Sequence, residues 1–419
     1  MHAFTLIFIG VLLLTTFVQV WLSARHINHV RAHQNKVPEK FADQISLADH
    51  RKAADYTCAK TRFGYPAIFL HTIILLILTL GGGLNALSSF WAEWTNNPII
   101  HGIVLIISTF MIMGLADIPL SYYRTFVIEE RFGFNKMTPG MFFADLVKQA
   151  LLMFLLGAPL LFGILWLMEK MGENWWLYAW TAWIAFNLFL LAIFPTWIAP
   201  LFNKFTPLED ESLKTRIEQL MKKCGFKSSG LFVMDGSRRS KHGNAYFTGF
   251  GKTKRIVFFD TLLSSLKPGE IEAVLAHELG HFKHRHVIKR IIVSFVMSLG
   301  FFWLLNYLMN QHWFYEGLGI SVATTPETAM ALLLFFLVMP VFTFLFHPVS
   351  SIYSRKHEFE ADAYAAQNSS ADDLIRALVK LYQDNAATLT PDPLHSTFYD
   401  SHPPAAIRVA HLEDQLQVR

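Results

Sequence analysis

Long runs of apolar residues alternate with shorter polar segments along the whole chain. Seven of these runs approach the roughly 20 residues that an α-helix needs to cross about 30 Å of hydrocarbon. Their length predicts seven membrane-spanning helices. The predicted spans cover residues 3–23, 65–87, 99–121, 149–168, 175–197, 291–309 and 329–347.

The loops differ in basic residues, and this difference predicts the orientation of the chain. Lys and Arg are frequent after the first and third predicted spans, whereas segments 88–98 and 310–328 contain neither. Because basic loops stay in the cytoplasm, we expect the N-terminus outside and the C-terminus and long polar regions inside. No basic residue precedes the first span, which we interpret as a retained anchor rather than a signal peptide. Short loops and no evident retrieval signal favour a bacterial inner membrane, with the endoplasmic reticulum membrane as the alternative.

Composition agrees with a multi-pass protein in contact with the lipid bilayer, because 53% of residues are hydrophobic and only 16% are charged. The cytoplasmic loops account for the net charge of +4. No basic stripe with interleaved aromatic residues is present, so we expect no nucleic-acid partner. The two cysteines, Cys58 and Cys224, fall in segments assigned to the cytoplasm, and we therefore expect no disulfide.

The longest polar interval, residues 200–288, predicts a small α+β unit. The segment TPLEDESLKTRIEQLMKKCGF has early acidic residues, late lysines and a Gly225 stop, which predict a capped helix. Three strands are predicted at GLFVMD, NAYFTGF and RIVFFD. A further helix is expected to begin at Lys267–Glu270, because proline and acidic residues are favourable in a first turn.

This last helix carries the sequence VLAHELGHFKHRH, which has the spacing of a zinc peptidase. His277 and His281 are four residues apart and face the same way on a helix, so both imidazoles can reach one ion. Glu278 lies beside them, in the position of a general base. The pattern predicts a zinc ion as cofactor, and a catalytic zinc needs a third protein ligand.

The histidines that follow the motif do not supply this ligand in the metzincin manner. That class requires glycine at position 284 and histidine at 287, where this chain has His284 and Val287. We interpret His284 and His286 as a basic flank at the membrane edge.

The segment SRKHEFEADAYAA, beyond the seventh span, offers better ligands. Glu358 and Asp362 are four residues apart on one helical face. Glu358 can bind the metal while Asp362 accepts a hydrogen bond from a ligating imidazole. On spacing alone, His357 and Glu360 compete for the ligand position, and any of these acids could be a solvated helix face.

Several segments together resemble the type 1 CAAX prenyl endopeptidases, the a-factor-converting enzymes. The resemblance covers nearly the whole chain and includes the number of seven spans. The chain is more distantly similar to the heat-shock membrane peptidase HtpX, which is shorter and has fewer spans. The matching segments are YRTFVIEERFGFN, NAYFTGFGKTKRIVFFDTLL, HELGH, SRKHEFEAD and SHPPAAIR.

The resemblance implies a mainly α-helical membrane protein with about seven helices around an internal chamber and a small gluzincin-like zinc peptidase domain. Asp117, inside the third span, is costly in lipid unless it faces protein or water. It can equally be a hydrogen-bonding group near a kink at Pro119.

The resemblance also implies roles for individual residues. His277, His281 and Glu358 would bind zinc, Glu278 would be the general base and Asp362 would support a ligand. Two further catalytic residues, His402 and Arg408, would stabilise the developing oxyanion. Read without the family, His402 is only a residue before a proline turn.

A substrate-binding strand is implied as well. Asn244 and Ala245 match an edge strand that would bind an extended peptide by strand addition. The alternative interpretation is that Asn244 and Ala245 belong to an ordinary core strand.

The expected organisation has four parts. Residues 1–199 hold five membrane helices, 200–288 the cytoplasmic zinc peptidase core, 289–350 two further membrane helices, and 351–419 the part that supplies the third ligand. The expected function is a membrane zinc metalloendopeptidase whose substrates are peptides or proteins, prenylated at a CAAX end or inserted in the membrane. One alternative is a quality-control protease for misfolded membrane proteins, and another is a metal transporter or carrier.

Overall fold

The structure is a computed structural model, and it describes residues 2–248, 253–321 and 328–417. Most of this part of the chain is helical. The helices are α1 (Ala3–His33), α2 (Leu47–Leu78), α3 (Gly83–Ala92), α4 (Pro98–Tyr123), α5 (Pro139–Lys170), α6 (Trp175–Ile193), α7 (Glu211–Lys223), α8 (Asp260–Ser265), α9 (Pro268–Lys283), α10 (His286–Leu308), α11 (His312–Glu316), α12 (Thr328–Thr343), α13 (His347–Asn368), α14 (Ala371–Asp384), α15 (Pro393–Tyr399) and α16 (Ala405–Gln417).

Seven helical stretches of the described chain are long and apolar enough to cross a membrane, which confirms the predicted number. Helix α12 lies at the centre of the membrane-spanning core, with nearly every residue from Ala329 to Val338 buried. Helices α1, α4, α5 and α10 pack around it. At about 1.5 Å per residue, the longest helices measure over 45 Å and extend beyond the hydrocarbon layer.

The second predicted span, 65–87, is wrong at its end. Helix α2 stops at Leu78, and a turn separates it from α3. Gly82 in this turn has a φ of 76°, a conformation that glycine adopts without strain. A side chain at Gly81 would lie 2.7 Å from the carbonyl oxygen of Ile77. The glycine run therefore ends the helix although the apolar character continues.

Asp117 pairs with a histidine of the neighbouring helix. Its Oδ1 lies 2.7 Å from Nε2 of His71, so this contact links α4 to α2. The Asp117 carboxylate, which is costly in lipid when alone, therefore has a polar partner in the protein.

The soluble unit contains a four-stranded sheet, where three strands were predicted. Its order is β1-β2-β4-β3, with β2 and β4 parallel and the other two pairs antiparallel. The strands are β1 (Phe205–Pro207), β2 (Lys227–Met234), β3 (Ala245–Thr248) and β4 (Thr253–Phe259). The end of the predicted strand NAYFTGF lies outside the described residues, as do parts of the 310–328 loop and of LQVR.

The missed strand β1 occupies the start of the predicted helix TPLEDESLKTRIEQLMKKCGF. Helix α7 begins only after Asp210, whose side chain accepts a hydrogen bond from the Leu213 amide at 3.0 Å. Pro207 precedes this cap and lies in an antiparallel pair with β2. The predicted Gly225 stop is present, with a φ of 76°.

The C-terminal polar region and the membrane helices form contacts toward the C-terminal end of α1. Arg25 donates to Asp392 at 2.8 Å, and the rings of His26 and His395 stack with centroids 3.9 Å apart. Both cysteines, Cys58 and Cys224, are free thiols with buried side chains.

Candidate metal centre

Two helices, α9 and α13, cross at very short range and bring the two sequence motifs together. Gly280 lies within HELGH, and a Cβ there would be 2.9 Å from the Cα of Ala361 in EFEAD. Only a glycine fits this approach without movement of the backbone. The start of α9 is fixed by Glu270, whose side chain accepts a hydrogen bond from the Lys267 amide at 2.8 Å, as its acidic first turn predicted.

Three side chains from these helices converge on one point. Nε2 of His277 lies 3.2 Å from Nε2 of His281, and the Glu358 carboxylate oxygens lie 3.5 and 3.4 Å from the two nitrogens. All three ligand atoms fit within 4.8 Å of one another. This is the one group of three potential ligands found in the described part of the chain.

The arrangement fits a metal ion on chemical grounds. Oε2 of Glu358 is buried and has no hydrogen-bond partner. A buried carboxylate oxygen without a partner is costly, and a cation between it and the imidazoles would remove the cost. Two imidazoles and one carboxylate form the donor set of a catalytic zinc site with an open position.

Asp362 lies directly behind His277. Its Oδ1 is 2.8 Å from Nδ1 of His277, and it is fully buried. Arg408 donates to both carboxylate oxygens, at 2.9 and 2.6 Å. Because Asp362, held by Arg408, engages Nδ1 of His277, Nε2 of this imidazole remains free for a bond to a metal.

Arg408 has most of its donors committed to this contact. Nε and Nη2 bind Asp362, while Nη1 lies 3.8 Å from Oε2 of Glu358. The neighbouring carboxylate of Asp362 raises the pKa of this buried guanidinium against the effect of burial. Only Nη1 remains for the predicted oxyanion contact.

The second ligand has a support that the sequence interpretation missed. Nδ1 of His281 lies 3.0 Å from Nδ1 of His286, whose Nε2 lies 2.8 Å from Glu360. His286 is fully buried, and its ring stacks on His357 with centroids 4.0 Å apart. The interpretation of His286 as a basic flank at the membrane edge is therefore wrong.

His357 and Glu360, which on spacing alone competed with Glu358 for the ligand position, contact His286 instead. Neither belongs to the three-residue group that could hold an ion. The signal for this arrangement was the spacing of His281 and His286 across the break between α9 and α10. Arg285 at this break has a φ of 56°, a left-handed turn that spacing alone does not predict.

The metal-free protonation of the two imidazoles is unequal. Burial acts to lower the pKa of His277, but the nearby carboxylates of Asp362 and Glu358 outweigh it and raise this pKa to about 9. Burial and the neighbouring His277 lower the pKa of His281 to about 3. When no metal is bound, the additional proton of this pair therefore resides on His277.

Glu278 faces a cavity of about 300 Å³ beside the three ligands. Burial raises the pKa of its carboxyl group. Asn244, Ala245, His402 and Arg408 also line this cavity. All the side chains predicted to act on a substrate thus surround one space.

Comparisons with known proteins agree with this geometry. Residues 26–204 match the family model for the N-terminal part of CAAX prenyl proteases with five membrane helices, and residues 207–416 match that for peptidase family M48. The chain belongs to the CAAX prenyl protease family of M48 peptidases. It is therefore a membrane metalloendopeptidase, which removes support for the carrier alternative.

Full-length relatives extend the match. The chain is 34% identical to the CAAX prenyl protease 1 homolog of Caenorhabditis elegans over 91% of both chains. It is also 34% identical to CAAX prenyl protease 1 of Saccharomyces cerevisiae, over 91% of this chain and 89% of that one. The crystal structure of S. mikatae Ste24p superposes with a TM-score of 0.91 at 31% identity, covering 98% of this chain and 99% of that chain.

The remaining residues that the sequence predicted for the site of this M48 peptidase line the same cavity. His402 has 62% of its side chain exposed, and its Nε2 is 3.5 Å from Oε2 of Glu358. Ala245 begins β3, the strand at one edge of the sheet, and Asn244 precedes it. Strand β3 pairs only with β4 among the described strands, and Asn244 and Ala245 at its start both line the cavity.

Proposed function

We propose that the metal of this peptidase is zinc and that His277, His281 and Glu358 bind it. The donor set and the unpartnered buried oxygen of Glu358 support this assignment. Zinc held there would polarise the scissile carbonyl and make a water molecule more acidic.

Glu278 is the proposed general base. It accepts a proton from the attacking water and then delivers it to the leaving amine. Its raised pKa suits both steps, because the carboxylate is more basic than an exposed one and its protonated form persists closer to neutral pH.

His402 and Nη1 of Arg408 are the groups available to stabilise negative charge on the carbonyl oxygen. Both border the cavity, and both lie within 4 Å of Oε2 of Glu358. Asn244 and Ala245 would hold the substrate backbone as an added strand along β3.

The proposed substrates are proteins with a prenylated CAAX end, cleaved on the carboxyl side of the cysteine with release of three residues. The observation that carries this proposal is the full-length match to CAAX prenyl proteases, which includes the five-helix N-terminal part. Membrane helices around the site would keep a lipid-bearing substrate in the bilayer while its end reaches the metal. Proteolysis of misfolded membrane proteins is the alternative substrate class.

The proposed orientation has the N-terminus outside and the site in the cytoplasm, as the basic loops predict. The bacterial inner membrane, with the endoplasmic reticulum as alternative, stays a prediction from the sequence. So does the division of the chain into four parts.

A paired hydrolysis assay tests the substrate. Purified protein is incubated with a quenched farnesylated CAAX peptide or with the same peptide lacking the farnesyl group, with and without chelator. We expect chelator-sensitive cleavage of the farnesylated peptide, and a released tripeptide identified by mass. Equal cleavage of both peptides, or cleavage only of an unfolded membrane protein, would favour the quality-control alternative.

A further inference from the structure

A second and larger space adjoins the metal centre. It measures about 840 Å³ and lies between α1, α2, the end of α4 and the segments around β3 and α15. Gly243, Asn244, Asn385 and His402 line both this space and the smaller cavity of the metal centre. A substrate at the metal can therefore continue into it.

One end of the larger cavity carries an excess of positive charge. Lys60 and Arg124 both line it, and their charges are close enough to repel each other. Neither has a carboxylate within 4 Å among the described residues. Lys60 lies instead over the ring of Tyr56, 4.5 Å from its centroid.

The nearest carboxylate, Glu129, already has other partners. The hydroxyl of Tyr56 donates to its Oε1 at 2.7 Å, and Nε2 of His242 lies 3.5 Å from its Oε2. Two cations thus face one engaged anion, and an added carboxylate would balance the charge. Both cations are exposed to the cavity without a close counterion, and a cleft lined by charges of one sign favours binding of an anion.

Asp400, the other acidic residue that lines the larger cavity, does not balance the charge of Lys60. Its charge acts on His26 and Tyr382 rather than on Lys60. The ring of His395 stacks on that of His26, close to Asp400. The cavity is therefore polarised, with its cationic end near α2 and the end of α4.

The direction of β3 indicates which part of a substrate reaches the cationic end. A peptide that pairs antiparallel with β3 runs with its C-terminal side toward Asn244 and then His242. His242 lies 3.4 Å from the hydroxyl of Tyr56, on whose ring Lys60 rests. The residues after the scissile bond therefore point at the two cations.

We propose that Lys60 and Arg124 form a binding site for the C-terminal carboxylate of the substrate. The inference rests on the proposed function, because a CAAX end places that carboxylate three residues beyond the cleaved bond. Three extended residues span about 10 Å. The site would favour bonds at a fixed short distance from a free C-terminus, which makes it a determinant of specificity.

The test compares two farnesylated CAAX peptides that differ only at the C-terminus, one a free acid and the other an amide. For the unaltered enzyme we expect kcat/KM to be about 10- to 100-fold lower for the amide, the loss typical of a hydrogen bond to a charged group. In Lys60→Gln/Arg124→Gln the acid should fall to the level of the amide, so that the ratio approaches one. Lys60→Arg, which keeps the charge, should retain most of the discrimination.

Matched controls are Lys52→Gln and Arg131→Gln, exposed basic residues on α2 and after α4 that do not line the cavity. Both should keep the ratio of the unaltered enzyme. Equal rates for acid and amide in the unaltered enzyme would overturn the carboxylate site and leave the CAAX proposal intact. A ratio unchanged in the double variant would likewise overturn it, whereas no cleavage of either peptide would overturn the CAAX proposal itself.

Discussion

Nδ1 of His277 lies 2.8 Å from Oδ1 of Asp362, and Asp362 is held in turn by two hydrogen bonds from Arg408. This order of contacts determines which nitrogen of His277 faces the metal site. A neutral imidazole that donates from Nδ1 presents Nε2 as the acceptor. The last helix of the chain thereby acts on a ligand in the HELGH helix.

Replacement of Asp362 by asparagine should weaken zinc binding by about 10- to 100-fold, because the supporting partner of a ligand loses its charge. Competition with a chromophoric chelator would measure this affinity. Asp372→Asn, at an exposed position in the first turn of α14, is the matched control and should keep the original affinity. Equal affinity in both variants would show that Asp362 does not support the ligand.

His286→Phe should weaken zinc binding by about tenfold, since it removes the partner of His281 Nδ1 while a ring remains to stack on His357. The same chelator competition measures the change. His284→Ala is the control, because His284 has no hydrogen bond to a ligand among the described contacts. A larger loss in the control than in His286→Phe would contradict the assigned support.

Gly280→Ala should destabilise the protein by about 1–3 kcal/mol, because the added methyl group meets the α13 backbone at Ala361. The expected result is a lower midpoint of thermal unfolding in detergent. Gly300→Ala, on α10, has nothing within 4 Å of the new Cβ and should keep the midpoint. If both variants melted alike, the close approach of α9 and α13 would not limit stability.

Zinc affinity should rise with pH between about 6 and 9. The metal-free site holds a proton on His277, whose pKa is about 9, and zinc must displace this proton. The apparent affinity should therefore increase about tenfold per pH unit in this range and level off above it. Titrations at pH 6, 7, 8 and 9 with the same chelator would measure the slope. A flat profile would mean that His277 is already neutral in the metal-free protein.

The sequence predicted those features that depend on local patterns. Apolar run length is enough for seven spans, and HELGH needs only the geometry of one helix to align His277 and His281. Strand β1 was missed because Phe205–Pro207 is three residues long and becomes a strand only by pairing with β2. The role of His286 depends on a left-handed residue and on packing against α13, which no spacing rule describes. Likewise, the two cations near Tyr56 come from different helices, and only the fold brings them to one cavity.

The central claim is that Glu358 holds the metal while Glu278 transfers the proton, and a pair of conservative variants separates these roles. Zinc content and hydrolysis of a farnesylated CAAX peptide would be measured for Glu278→Gln and Glu358→Gln. We predict that Glu278→Gln retains about one zinc per chain and loses turnover by at least about 10²-fold, while Glu358→Gln loses both metal and turnover. Loss of zinc from Glu278→Gln, or turnover by Glu358→Gln at the original rate, would contradict the assignment.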